Sequence, residues 1–183
     1  MNIETIYNER SQARSDKYYI ELAGKEVMLI PVLIDILDDS NSLNVSRAVR
    51  LIEKISVVYP RLVYPNFHFI AKLFDNKGCL NIWTVWKIIA YVLKYDMDNL
   101  WEEVREKYYS ALNSQHLAEF SIACDCAKSI IDAKSEEKDK IFEILNSVDS
   151  RSFTIAGEVS VQCGLVAVEK ANEILLLLNS VEE

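Results

Sequence analysis

Glycine and proline are scarce in this chain, with 4 and 3 in 183 residues. So few turn formers exclude an all-β fold, which needs turn residues every ~8–12 positions. They also leave no P-loop, dinucleotide fingerprint or G-x-S-x-G elbow. Histidine is limited to His68 and His116, and cysteine to Cys79, Cys124, Cys126 and Cys163. On a helix the thiols of the Cys124-Asp125-Cys126 pair point roughly 160° apart, so they cannot chelate one ion. Neither a metal nor another cofactor is expected. The apolar runs Val27 to Ile34 and Ile88 to Leu93 fall far short of the roughly 20 residues that cross a bilayer. Met1-Asn2-Ile3-Glu4 has neither the basic nor the apolar region of a signal peptide. The expectation is a cytoplasmic protein without membrane association, its cysteines reduced and buried as small apolar residues.

What the chain does have is helical patterning. Half of its residues are apolar and 26% are charged, a globular balance. Over 44–59, Val45, Ala48, Leu51, Ile52, Ile55 and Tyr59 fall on one stripe, opposite Arg47, Arg50, Glu53 and Lys54. Val57 is the apolar exception on the polar side, and Tyr59-Pro60 ends the segment. A second helix is expected from about 61 to 74, with Pro65 near its first turn, then a turn at Asp75-Asn76-Lys77-Gly78. Further helices are expected at about 80–95, 99–112 (capped by Asp96 or Asp98), 115–133 and from Ser135 onward. Pro31 either kinks the run Val27 to Leu37 or marks a helix start. The stretch 151–163, with β-branched residues and Gly157, is a poor helix by propensity but is read as helical from its context. Residues 165–178 make a stronger closing helix.

These segments repeat. Ala48, Leu51 and Ile55 match Val85, Ile88 and Val92 at an offset of 37, and those match Phe120, Ala123 and Ala127 at an offset of 35. The second helices match too: Leu33 to Asp38 is similar to Phe69 to Asp75 and to Ile141 to Asn146. Helix pairs at this period resemble degenerate HEAT repeats, in which each pair buries its apolar face against its neighbours. The resemblance implies one all-α domain over 1–183, an α-solenoid of about five stacked helical hairpins. Residues 42–76, 78–113 and 115–148 carry it best, with atypical terminal pairs at 3–39 and 150–180. The HEAT intra-repeat proline and paired Asp/Arg positions are not regular here, so armadillo-like or other hairpin stacking also fits.

The net charge of −8 lies at the ends of the chain, while 41–76 is locally basic, with 5 basic and 2 acidic side chains. Of 18 aromatic residues, 12 lie between Tyr59 and Tyr109, and bulky core filling accounts for most of them. In a HEAT stack the second helices line the concave groove. Tyr64, His68, Lys72, Trp101, Arg105 and Tyr109 are therefore the candidate groove residues, of types enriched at binding hot spots. No catalytic set accompanies them, since the acidic pairs belong to solvated faces or helix N-termini. The expected function is a non-enzymatic scaffold for a protein or peptide. An acidic chain suits a basic partner, as in an inhibitor or a toxin-neutralising immunity protein. The alternative is a nucleic-acid-binding enzyme resembling the HEAT-like alkylpurine DNA glycosylases, through Arg47, Arg50, Lys54, Arg61 and Lys72 with Trp83, Trp86 and Trp101. The overall acidity makes nucleic acid an unfavourable partner. A structural subunit that oligomerises through its end repeats is a third reading.

Overall fold

A computed structural model of the chain describes residues 16–179 apart from 27, 40 and 76–81. Cys79, the turn residues 76–78 and the start of the 3–39 pair lie outside the described residues. The described chain is all-helical except for one two-stranded hairpin. It divides into two compact units, Met1–Leu100 and Trp101–Glu183, at a point inside the 78–113 segment. None of the described helices is long and apolar enough to cross a membrane.

The first unit contains α1 (Asp16–Ala23), α2 (Leu29–Asp35), α3 (Ser42–Val58), α4 (Pro60–Val63), α5 (Phe67–Ala71) and α6 (Ile82–Val92). Helix α3 starts where the Asn41 side chain accepts from the Leu43 and Asn44 amides at 3.0 and 3.4 Å, satisfying two donors with no intrahelical partner. Its expected stripe is buried, with Val45, Ala48, Leu51, Ile52 and Ile55 in the core and Val57 exposed. This stripe packs on α6, whose Val85, Ile88, Ile89 and Val92 are also buried. Pro31 is the third residue of α2, where its missing N–H has no carbonyl to leave unpaired, so it marks a start rather than a kink.

The single helix expected over 61–74 is instead broken. Pro65 cannot donate a backbone hydrogen bond, and the chain passes through 3₁₀ turns at Tyr64–Asn66 and Lys72–Asp75 on either side of α5. The helix expected at 99–112 is divided as well. A 3₁₀ turn at Leu100–Glu103 precedes α7 (Arg105–Leu112), and Val104 between them leaves helical geometry at φ −120°.

The second unit continues with α8 (Leu117–Ala133), α9 (Lys138–Asn146), strands β1 (Thr154–Ile155) and β2 (Glu158–Val159), and α10 (Val161–Asn179). Helix α8 is the hub, packing on both α7 and α10, while α9 touches α7 and α10. Burial spreads around α8, where Phe120, Ala123, Cys124, Cys126, Ala127 and Ile130 are all inside. Burial pushes the Cys124 thiol up to about 12, and Lys170 only partly offsets it.

The helical reading of 151–163 is overturned. Thr154 pairs with Val159 and Ile155 with Glu158 in an antiparallel hairpin, and helix begins only at Val161. Ala156 and Gly157 take φ of 50° and 85°, both left-handed, as a two-residue type I′ turn requires. β-Branched Thr154, Ile155 and Val159 favour the pleated pairing.

Long-range hydrogen bonds tie distant segments together within each unit. Tyr64 reaches Asp96 and Asp98, 32 and 34 residues on. Trp101 reaches Glu137, 36 on, and Leu112 accepts from Arg151 across 39 residues.

Candidate functional site

Tyr64, His68 and Lys72 follow one another at four-residue spacing in the first unit. Tyr64 is half-buried. Its hydroxyl lies 3.0 Å from Asp96 Oδ1 and 3.1 Å from Asp98 Oδ2, and it accepts from the Asp98 amide at 3.3 Å. Burial, then the two carboxylates beside it, push the phenol up to about 12. Asp96 also accepts from the Leu100 amide at 2.7 Å, the expected cap, and the loop between them turns on Asn99 at φ 57°. Tyr64 thus ties α4 to the loop after α6 rather than standing free. His68 and Lys72 are exposed, with the Lys72 ammonium 5.3 Å from the centre of the Phe69 ring.

In the second unit Trp101 and Tyr109 meet, but on a buried carboxylate. Glu137 is 4% exposed. It accepts from Trp101 Nε1 at 2.8 Å and from the Tyr109 hydroxyl. Trp101 is wholly buried and stacks obliquely on Tyr108 at 5.6 Å, so the display expected of it does not hold. Its amphipathic ring needs both a core to fill and a partner for its N–H. Arg105 is half-buried and paired with Glu102 at 2.7 Å and Glu106 at 3.6 Å. Of the six groove candidates, Tyr64, Trp101, Arg105 and Tyr109 are therefore held by internal partners.

An open apolar surface of the second unit lies elsewhere, between the hairpin and the first turns of α10. A cleft of about 400 Å³ is lined by Phe153, Val159, Val161, Leu165 and Val168, together with Arg151 and Asp149. A smaller hollow of about 60 Å³ shares Asp149 and Val168 and continues along α10 to Leu175. The apolar lining is unusually exposed: Val161 is 84%, Val159 70% and Leu165 61% accessible. At 100° per residue Val161, Leu165 and the exposed Leu176 lie within roughly 60° on α10.

Two local features shape the cleft. Arg151 Nη1 donates to Leu112 O at 2.8 Å, and the guanidinium lies 5.0 and 5.1 Å from the Phe120 and Phe153 ring centres. These contacts pin the base of the hairpin to α7 and α8. Burial lowers the Arg151 pKa, and its Nε and Nη2 are enclosed without a hydrogen-bond partner among the described residues. The second feature is Gly164, on the helical wall of the cleft. A Cβ there would meet nothing within 4 Å.

The two hairpin edges differ. Thr154 N donates to Gln115 O at 2.7 Å, and Thr154 bridges His116 in parallel fashion, so β1 is covered. On β2, Ser160 N donates to Phe153 O at 3.2 Å, which makes Phe153–Ser160 and Ile155–Glu158 the bonded pairs. By that alternation Val159 turns its N–H and C=O to the open side. The signal for this site lay in β-branched residues around Gly157, but the turn lacks the usual Asn-Gly.

Among the described residues no cluster of His, Cys, Asp and Glu is placed to hold a metal ion. No protein-family model, curated protein or solved structure matches the chain.

Proposed function

We propose that the chain is a non-catalytic protein- or peptide-binding module built of HEAT-like helical hairpins, with the cleft beside α10 as its working surface. The observation that carries this reading is the exposed apolar lining of that cleft, Val159, Val161 and Leu165. Apolar groups are normally withdrawn from water unless a partner covers them. The repeat reading draws support from the long-range bonds. Tyr64 and Trp101 stand 37 residues apart, and each donates to a carboxylate about one period further along.

Charge favours a basic partner. Residues 1–100 hold 12 basic and 12 acidic side chains, while 101–183 hold 8 and 16, so the whole net charge of −8 falls in the second unit. The glycosylase-like alternative draws less support, because phosphate would meet that excess of carboxylates.

The test is photo-crosslinking. Benzoylphenylalanine at Val161, in lysate from the source cell, should capture one protein species saturably. The same group at Lys25, an exposed residue of the first unit, should not. Equal or unsaturable labelling from both positions would remove the cleft from consideration.

A further inference from the structure

We propose that the cleft takes an extended segment of alternating apolar and basic residues, added as a third strand along β2. The inference rests on the binding reading above and specifies the partner's conformation and side-chain pattern. Strand addition needs an uncovered edge, a pocket for every second side chain, and complementary charge beside the others.

All three are present around β2. Val159 presents its amide and carbonyl outward, whereas the equivalent edge at Thr154 is already occupied by Gln115 and His116. Side chains of an added strand alternate between faces. Those beside Val159 fall over the cleft, against Val161, Leu165 and Val168. Those beside Glu158 fall on the opposite face, next to an exposed carboxylate. Glu158, Asp149 and Glu169 make no ion pair among the described residues, and each is exposed. The nearby cations are engaged: Lys170 with Asp125 at 2.7 Å, and Arg151 with Leu112 O and against the Phe120 and Phe153 rings.

Gly164 is a second, independent pointer. A glycine inside a helix is unfavourable relative to alanine, and no close neighbour requires it here. What its missing side chain does leave is room over the cleft. A second copy of this chain is a poorer occupant, since two acidic units would face each other. A partner helix would leave the Val159 edge unused.

The experiment uses the full chain and a fluorescein-labelled octapeptide of alternating valine and lysine, read by fluorescence anisotropy. Saturable binding is expected, weakening as salt rises from about 50 to about 500 mM. N-Methylation of the peptide amides that would face β2 should weaken binding about tenfold, the size of one lost backbone pair. Val159→Pro deletes the outward amide without touching a ladder bond and should do the same with an unchanged far-ultraviolet spectrum. Gly164→Tyr fills the cleft and should abolish binding.

Binding that ignores N-methylation and Val159→Pro but is lost in Gly164→Tyr would overturn strand addition while leaving the cleft as a binding surface. Equal binding by a helical peptide of the same charge would do likewise. No saturable binding by the octapeptide overturns the proposal, whereas the crosslink at Val161 judges the cleft separately.

Discussion

Replacing Gly164 with alanine adds one methyl group at a place where nothing lies within 4 Å of it. The residue sits in the first turns of α10 and its backbone is helical. Helix propensity alone then applies, and alanine should stabilise by roughly 0.5–1 kcal/mol. In a chain of this size that raises the melting temperature by roughly 1–4 °C. The assay is thermal unfolding followed by circular dichroism at 222 nm, paired with anisotropy of the valine–lysine peptide. A single methyl group leaves most of the cleft open, so peptide affinity should change less than about threefold, under ~0.7 kcal/mol. Tyrosine at the same position should keep the stability and lose the binding. A fall in melting temperature with alanine would refute the reasoning, because it would mean that the space above Gly164 is filled or that the helix starts later.

Four further outcomes follow from the second unit. Trp101→Phe removes one donor from buried Glu137 and should cost about 2–3 kcal/mol in urea unfolding, more than Phe for Trp at an unbonded site. Arg151→Lys should cost nearly as much as Arg151→Ala, about 2 kcal/mol or more, since an ammonium cannot lie against both Phe120 and Phe153 and still reach Leu112 O. Ala156→Asn restores the preferred residue of a type I′ turn at φ 50° and should raise stability by about 0.5 kcal/mol, checked by the same unfolding curves. Cys124 should resist iodoacetamide at pH 8 until the protein is denatured. Because its thiol ionises near 9.0 when unfolded and only near 12 when folded, the unfolded state binds fewer protons between those values. Stability should therefore fall as pH rises from 9 to 12, and less steeply in Cys124→Ala.

How much of this was readable in the sequence depended on whether the cause was local. Helix α3 was legible because Val45, Ala48, Leu51, Ile52 and Ile55 repeat at helical spacing and Pro60 closes the segment. Asp96 was legible as a cap for the same reason. The breaks at Pro65 and Val104 were hidden within long apolar periodicities that mask a change from α to 3₁₀ geometry. Trp101 and Tyr109 were singled out by residue type, but their fate was set by Glu137, a partner far along the chain that periodicity does not reveal. The hairpin was missed although its β-branched residues were visible. Ala156, a poor left-handed residue, concealed the turn, and Arg151 anchors the hairpin by contacts 39 residues away.

Hydrogen exchange at the Val159 amide tests the central claim most directly. In the free protein this N–H faces the open edge and should exchange within the range of exposed strand amides. On saturation with the valine–lysine peptide it should slow by about tenfold or more, while the Thr154 amide, already bonded to Gln115, should change little. Saturable binding with an unchanged Val159 exchange rate would contradict the account.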